Sequence, residues 1–320
     1  MTPKFGAFVP QGWKLDLVGI ADPAAQYEAM SRAAREAERA GLDSAWVYDH
    51  FHTVPTAEAE ATFEAWTTMA ALARDTSTIR LGQMCTCNSY RRPSLLAKMS
   101  SCVDAMSNGR LIVGIGAGWY QEEFEAYGYE FPETPTRLRM LGEAVQVLKA
   151  MWTQDRAGFQ GTYYRLEGAI NRPRPVQQPH PPLWIAGGGE KVTLHLVARY
   201  ADGCNLGGDP ATVRRKLEVL KRHCDELGRD YDRLTKSTCL EPLIVGNGAE
   251  VKRVVADTMR RTGETEASLR GPYTGPPEVV AARLRELVEL GIDYFIAYLP
   301  NGVEEGAIER FAREVVPLVG

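Results

Sequence analysis

Short apolar segments alternate regularly with longer amphipathic ones along the whole chain, and this pattern limits the folds it can adopt. The short segments are rich in Val, Ile and aromatic residues and end in glycine or polar residues, which is typical of strands. The longer segments have helical periodicity. In the first of them, Tyr27, Met30, Ala34 and Ala37 recur at spacings of three and four residues. Strands that alternate with helices predict right-handed crossovers and a parallel sheet.

The alternation gives eight strand–helix units. The predicted strands are Lys4–Val9, Ser44–Tyr48, Ile79–Gly82, Arg110–Ile115, Leu183–Ile185, Gly203–Leu206, Ser237–Val245 and Tyr294–Ala297. The predicted helices are Ala24–Ala40, Thr62–Arg74, Pro93–Met106, Pro135–Trp152, Glu190–Tyr200, Pro210–Leu227, Ala249–Arg261 with Pro276–Leu290, and Val303–Val315. Eight units in 320 residues favour a closed (β/α)8 TIM barrel, an α/β fold. A doubly wound open sheet is the alternative, but its G-x-G-x-x-G pattern is missing after the first strand.

No linker or low-complexity tract divides the chain, so we predict a single domain over residues 1–320. Two segments depart from the repeat and are interpreted as insertions on the barrel. Residues 157–182 predict a β-hairpin around Gly161 followed by a proline-rich arm, and residues 261–277 predict a long loop.

The composition excludes several classes of protein. Lys and Arg total 37 against 41 Asp and Glu, a net charge of −4 without a basic block, so nucleic acid is not an expected partner. No apolar run is long enough for a membrane span, and the start of the chain does not have the pattern of a secretory signal. Six cysteines are too few for a disulfide scaffold, and their spacing does not predict a metal site. We therefore expect a reduced, cytoplasmic protein with a small-molecule substrate.

Two candidate catalytic residues follow the second predicted strand, and active sites of TIM barrels lie at the C-terminal ends of strands. His50 is predicted to be a proton donor or an orienting hydrogen-bond partner, since imidazole titrates near neutral pH. The neighbouring Asp49 points the opposite way along a strand, so we expect it to anchor the loop or a cofactor. His52 is the second choice for the role of His50 if the strand continues that far.

Glycines are also concentrated at the ends of two other predicted strands. Gly187–Gly189 stand directly before the predicted helix Glu190–Tyr200, and free N–H groups at a helix N-terminus favour a phosphate site over a flexible turn. The glycines at 114, 116 and 118 either permit close packing or form part of the site. No nucleophile or metalloprotease motif is present, so the glycine- and aromatic-rich mouth favours a flat, phosphorylated cofactor. Glu64, on the second helix, is either a buried support or a contact to the site.

These strand ends resemble those of the luciferase-like monooxygenase superfamily, and specifically its branch that depends on the deazaflavin coenzyme F420. The motifs that carry the resemblance are Trp46-Val47-Tyr48-Asp49-His50, Phe63-Glu64-Ala65-Trp66-Thr67, the segments Arg80–Pro93 and Ser107–Trp119, and Pro181–Glu190. Together they extend to about residue 235, and the C-terminal quarter matches only generically.

The resemblance implies a barrel that binds a flavin or deazaflavin at its mouth, with a non-prolyl cis peptide between Met84 and Cys85. It implies that Asp49 and His50 lie beside the cofactor ring, Asn88 near its polar edge, and Gly187–Gly189 under its phosphate. The cofactor-binding residues expected on this basis are Asp49, His50, Met84, Cys85, Cys87, Asn88, Gly116, Gly118, Gly187, Gly188, Gly189 and Glu190.

The resemblance favours hydride transfer between F420 and a small organic substrate with a C=C, C=N or C=O group. The alternative is a two-component monooxygenase that uses O2 and reduced FMN from a partner reductase. A third hypothesis is a barrel that binds the cofactor without catalysis. The resemblance also implies a homodimer. We find no match to the basic cluster of sugar-phosphate-oxidising members, so glucose 6-phosphate is not an expected substrate.

Overall fold

The structure is a computed structural model that describes residues 2–54 and 56–320. Eight parallel strands form its centre: β1 Lys4–Phe8, β2 Ser44–Val47, β3 Arg80–Gln83, β4 Leu111–Gly116, β5 Leu183–Ala186, β6 Gly203–Asn205, β7 Thr235–Leu240 and β8 Tyr294–Ala297. Each strand pairs with the next in the chain, and β8 pairs with β1 in the register that sets Lys4 opposite Tyr294. The sheet is thus closed, which confirms the TIM barrel and excludes the open sheet.

The helices that connect the strands are α1 Pro23–Arg39, α2 Ala65–Asp75, α3 Pro93–Met106, α4 Gln121–Ala126, α5 Thr134–Thr153, α6 Thr193–Tyr200, α7 Pro210–Glu226, α8 Gly248–Thr262, α9 Glu266–Leu269, α10 Pro277–Leu290 and α11 Ala307–Arg310. The local sequence explains where two of these helices begin. Asp22 and Asp209 accept hydrogen bonds from the first turns of α1 and α7, and a proline follows each cap. No helix among residues 2–54 and 56–320 has the length and apolar character needed to cross a bilayer.

Aromatic side chains fill the barrel interior below the mouth. Trp46 and Trp184 have ring centroids 5.2 Å apart, and Trp184 lies 5.0 Å from Tyr294 with its ring edge-on. A Cβ on Gly82 would come within 2.4 Å of the Trp46 ring, so only glycine leaves room for this indole. The rings close the lower part of the barrel and leave space for a ligand at the C-terminal ends of the strands.

The hairpin around Gly161 is present as predicted, and the predicted loop at 261–277 contains two short regular elements. Strands Ala157–Gln160 and Arg165–Ala169 pair antiparallel around Gly161, as the sequence predicts. Residues 261–277 include regular secondary structure, namely α9 and a short strand, Thr274–Gly275.

Other predicted boundaries also need correction. The seventh strand ends at Leu240 because Pro242 cannot donate a ladder hydrogen bond, and Ile244–Val245 pairs with Thr274–Gly275. The last predicted helix, Val303–Val315, begins only at Ala307, because Gly306 adopts a positive φ of 84°, and from Phe311 it continues as a π-helix. Helix α4 was not predicted at all.

Helix α6 begins at Thr193, three residues later than predicted. Leu194 N–H donates to the carbonyl oxygen of Gly189 over 3.0 Å, so residues 190–192 form a wider turn before the helix. The glycine run therefore precedes this turn and does not stand directly at the helix N-terminus.

Candidate active site

A cavity of about 460 Å³ opens at the C-terminal ends of the strands, within the roughly 300–1,000 Å³ usual for ligand sites. Its lining combines predicted residues with aromatic and small ones from several loops. The lining residues are Trp13, Tyr48, Asp49, His50, Met84, Cys85, Cys87, Tyr90, Gly116, Ala117, Gly118, Trp119, Tyr120, Thr134, Leu138, Ala186, Gly187, Gly188, Gly189 and Thr193. Ten of the twelve predicted cofactor-binding residues are therefore together at this cavity.

His50 is held by a carboxylate that the sequence did not single out. Its Nδ1 lies 3.0 Å from Oε2 of Glu123, which is fully buried at the start of α4. The carboxylate also accepts hydrogen bonds from the Tyr90 hydroxyl at 2.5 Å and from the backbone N–H groups of Phe51 at 2.6 Å and His52 at 3.3 Å. These donors fix Glu123, and Glu123 in turn fixes the His50 ring.

The protonation state of this pair follows from the donors around Glu123. Burial alone would raise the pKa of Glu123, but its bonds to His50, Tyr90 and Phe51 outweigh burial and lower the pKa. The carboxylate is therefore ionised near neutral pH and can only accept hydrogen bonds. It follows that His50 Nδ1 carries a hydrogen, and that Nε2 is the nitrogen that can exchange a proton with a substrate.

Asp49 belongs to a separate network and does not pair with His50. The two amino groups of Arg91 donate to its carboxylate over 2.7 and 2.8 Å, and the Cys87 N–H donates over 2.8 Å. Burial raises the pKa of Asp49, while Arg91 and the Cys87 N–H oppose that effect. Burial would likewise lower the pKa of Arg91, but Asp49 and Glu64 raise it above its usual value, so the guanidinium keeps its charge. This network anchors the Cys85–Cys87 segment, as expected for Asp49.

Glu64 supports the Asp49 network from outside the cavity. Its Oε2 accepts a hydrogen bond from Thr67 N–H at 2.7 Å and caps α2, while its Oε1 accepts one from Arg91. Glu64 therefore holds Arg91 and the start of α2 in place, and it does not line the cavity.

The backbone between Met84 and Cys85 is cis, as the family resemblance implies. Both residues line the cavity. Burial raises the pKa of the Cys85 thiol to about 12, and burial also raises the pKa of Cys87, so both thiols are neutral near pH 7. Within residues 2–54 and 56–320, no group of three or more Cys, His, Asp and Glu side chains is arranged to hold a metal ion.

Gly116 and Gly118 allow β4 and the turn after it to approach this segment closely. A Cβ on Gly116 would lie 2.6 Å from the Cys85 sulfur, and one on Gly118, where φ is +80°, would lie 2.7 Å from the Cys87 sulfur. Close packing is therefore one reason for these glycines, although both also line the cavity.

The turn Gly187–Gly189 has the properties of an anion site. In the described part of the chain, the N–H groups of Gly188 and Gly189 have no hydrogen-bond partner. A Cβ on Gly188 would lie 2.4 Å from Nζ of Lys216, and one on Gly189 would lie 2.9 Å from the hydroxyl of Thr193. Lys216 extends from α7 to this turn and donates to the carbonyl of Gly207 over 2.6 Å. Backbone donors, a hydroxyl and a cation are thus close to one another at this turn.

Three candidate residues lie outside the cavity lining. Asn88 is buried and donates from Nδ2 to the Tyr164 hydroxyl over 3.1 Å. Glu190 is engaged with Arg215 at 2.8 Å, because the wide turn before α6 directs it to the surface. His52 bonds to its neighbour's carbonyl, since β2 ends at Val47 and the strand alternation that favoured His52 does not apply.

Sequence reasoning missed Glu123, Arg91 and Lys216. Glu122 and Glu123 are adjacent at the start of an unpredicted six-residue helix, and only the apolar neighbour Phe124 hints that one carboxylate is buried. Arg91 lies within the motif Arg80–Pro93 but was not given a role. Lys216 is one of several basic residues on an amphipathic helix, and only the fold shows that it extends to the glycine turn.

Comparison with known proteins agrees with this geometry. The family model described as luciferase-like monooxygenase matches residues 4–274. An F420-dependent glucose-6-phosphate dehydrogenase of Amycolatopsis mediterranei is 28% identical, with 89% of this chain and 92% of the relative covered. An FMNH2-dependent dimethylsulfone monooxygenase of Pseudomonas putida is 28% identical over 71% of this chain and 70% of its own. The solved structure of an F420-dependent secondary alcohol dehydrogenase with an F420–acetone adduct matches with a TM-score of 0.81 at 22% identity, over 100% of both chains. This chain belongs to the luciferase-like monooxygenase family.

Proposed function

We propose that this chain is an F420-dependent oxidoreductase that transfers a hydride between the deazaflavin and a small organic substrate with a C=O, C=N or C=C group. The observation that carries the proposal is the buried Glu123 carboxylate, which binds Nδ1 of the cavity-lining residue His50 and so leaves Nε2 as the nitrogen available to a substrate. Hydride transfer to such a group must be accompanied by proton transfer, and this arrangement supplies a proton carrier. The F420-dependent relatives that cover 89% of this chain support the choice of cofactor.

The residues present fit a flat ring with a phosphate. The Met84–Cys85 peptide and Cys87 supply an uncharged wall for a ring, and Asp49 secures that wall through the Cys87 N–H. The free N–H groups of Gly188 and Gly189, with Thr193 and Lys216, fit the phosphate. Asn88 and Glu190 are left out of the proposed contact set, since they do not line the cavity.

When bound, F420 supplies or accepts the hydride. In the direction of carbonyl reduction, protonated His50 hydrogen-bonds the carbonyl oxygen through Nε2 and gives it that proton as the carbon gains the hydride. In the direction of alcohol oxidation, neutral His50 accepts the hydroxyl proton at Nε2. Glu123 stabilises the charged imidazole in both directions, and the sum is transfer of two electrons and two hydrogens.

We also propose that the chain acts as a homodimer in the cytoplasm and that a separate reductase regenerates reduced F420 for it. All six cysteines are unpaired, which agrees with a reducing compartment. Gel filtration with light scattering decides the oligomeric state.

The function is tested by titrating the purified protein with F420 and with FMN, and then by anaerobic turnover of reduced F420 with simple ketones, imines and enones. We expect F420 to bind more tightly than FMN and to be oxidised without O2. Tighter FMN binding, with turnover only in the presence of O2, would replace the proposal by the FMN-dependent monooxygenase that one group of relatives represents.

A further inference from the structure

The His50 ring stands in an aromatic enclosure on the substrate side of the cavity. Trp13 stacks on it with parallel planes and a centroid distance of 4.5 Å. Trp119 and Tyr120 present their rings edge-on at 5.9 and 6.1 Å. A molecule that reaches Nε2 of His50 therefore contacts aromatic surface.

Trp119 is the unusual member of this enclosure, because 63% of its surface is exposed although it lines the cavity. An indole left in water at a cavity mouth gains free energy when an apolar molecule covers it, at roughly 25 cal/mol per Å² of buried apolar area. Among the described residues, the aromatic rings that contact it are His50 and Tyr120, and more than half of the surface of Trp119 remains for a ligand to cover.

The charges around His50 disfavour an anionic substrate. None of the described residues that line the cavity is Lys or Arg. The nearby cations are already engaged: Arg91 with two carboxylates, Lys14 with Glu241 at 2.6 Å, and Lys216 at the glycine turn. The ionised Glu123 behind His50 repels a second negative charge in a poorly solvated space. A phosphate or carboxylate beside His50 would thus have no Lys or Arg as a counter-ion, and a charge carried by His50 itself is already balanced by Glu123.

A cationic substrate is disfavoured as well. Aromatic rings attract cations, but Lys14 Nζ already lies 4.8 Å from the Trp13 ring centroid. Asp49 is the carboxylate among the described lining residues, and its charge is already balanced by Arg91. It therefore offers little attraction to a second cation.

We propose that the substrate is a small, uncharged carbonyl compound with an apolar body, such as a cyclic ketone, which packs on Trp119 and Trp13 and directs its oxygen to Nε2 of His50. This inference rests on the proposed function and narrows its substrate class. It separates this chain from its sugar-phosphate-oxidising relatives, whose names specify a doubly charged substrate. In the reduction, the carbonyl carbon gains a hydride from reduced F420 and the oxygen gains a proton from His50, which solvent replaces.

The test compares a neutral cyclic ketone with its carboxylate-bearing analogue. Cyclohexanone and 4-oxocyclohexanecarboxylate are assayed with the F420-loaded enzyme, together with glucose 6-phosphate in the oxidative direction. We expect kcat/KM for cyclohexanone to exceed that for the carboxylate at least about tenfold, and glucose 6-phosphate not to be oxidised. Equal or better use of either anion would overturn the inference.

Trp119→Ala tests the apolar contact. We expect its KM for cyclohexanone to rise about tenfold, with kcat and the Kd for F420 nearly unchanged. Tyr127→Ala is the matched control, since this aromatic ring is 53% exposed on the same segment but does not line the cavity. An unchanged KM in Trp119→Ala, or an equal rise in the control, would contradict the proposed contact.

Failure of the inference is distinguishable from failure of the proposed function. F420 binding is followed separately by the absorbance of the deazaflavin, and both ketones are titrated against loaded and cofactor-free protein by tryptophan fluorescence. Absence of F420 binding overturns the proposed function. In that case, the ketone titrations of cofactor-free protein still show whether the neutral or the charged ketone binds more tightly, and so test the inference separately. Normal F420 binding with a preference for the carboxylate overturns the inference alone.

Discussion

Asp49 and His50 are neighbours in the chain, yet each is held by a different kind of partner. The Asp49 carboxylate meets a guanidinium that keeps its charge throughout the physiological pH range. The His50 imidazole meets a buried carboxylate whose lowered pKa keeps it ionised. The first network holds its carboxylate between a permanent cation and the Cys87 N–H, and it fixes the loop. The second places a titratable ring between a fixed negative charge and the cavity.

The difference shows that a carboxylate at the end of a barrel strand can be fully engaged in hydrogen bonds that hold a neighbouring segment. Asp49 is buried and lines the cavity, but both of its oxygens accept hydrogen bonds from Arg91. Glu123 does not line the cavity, yet its bond to Nδ1 decides which nitrogen of His50 faces the substrate. Substitutions in the two networks should therefore separate stability from catalysis.

The largest effect is expected for His50→Ala and His50→Asn. Loss of the proton carrier should lower the single-turnover rate of hydride transfer about 10²- to 10⁴-fold while the Kd for the cofactor changes little. Rapid mixing of the F420-loaded variants with a ketone measures this rate. A full rate in both variants would remove His50 from the mechanism.

Asp49→Asn should instead lower stability. The variant leaves buried Arg91 with Glu64 as its one carboxylate, and we expect the free energy of unfolding to fall by about 2–4 kcal/mol. Denaturant unfolding measures the loss, and the double variant with Arg91→Met should lose less than the sum of the two single changes. Strict additivity would mean that the pair does not act as a unit. Glu64→Gln, which is partly exposed, is the milder comparison.

Glu123→Gln should affect both properties, with a pH dependence that identifies the charge. The pKa of Glu123 is lowered in the folded state, so its contribution to stability is present above about pH 4.5 and is lost as the pH falls through the folded pKa. The difference in unfolding free energy between wild type and variant should therefore shrink on acidification below that value. We also expect a roughly tenfold slower single turnover at pH 7, since a neutral amide stabilises the imidazolium less. A difference in stability that is constant from pH 7 to pH 3 would contradict the role of the charge.

The smallest effect is expected at the glycine turn. Lys216→Met should raise the Kd for F420 about fivefold at low ionic strength, and less in high salt, because the lost contact is electrostatic. Lys221→Met is the control, since this lysine lies on the same helix and pairs with Asp225. An equal rise of the Kd in both variants would show that the effect comes from the net charge of the protein and would contradict a contact between Lys216 and the phosphate.

Sequence reasoning predicted the parts of this molecule that depend on local periodicity. The eight strands, the hairpin around Gly161 and the position of His50 follow from spacing and from the alternation of strands and helices. The family resemblance added the cis peptide at Met84. The sequence could not predict contacts that join distant segments. Glu123 is 73 residues from His50, and its partner is fixed by the fold of an unpredicted helix.

Element boundaries failed where one backbone group decided the local structure. Pro242 ends a strand and Gly306 delays a helix, although the apolar pattern continues across both positions. The bond from Leu194 to Gly189 moves the start of α6 away from the glycines, and with it Glu190 moves to the surface.

Catalysis as proposed requires that Glu123 hold the proton of His50 on Nδ1 and leave Nε2 for the substrate. Nitrogen-15 NMR of histidine-labelled protein reports this tautomer directly, with His50→Asn to assign the signal among the five histidines. For the neutral imidazole, we predict a protonated Nδ1 and an unprotonated Nε2, and Glu123→Gln should weaken this preference. A wild-type His50 that carries its proton on Nε2 would contradict this assignment of the tautomer and the proton transfer derived from it.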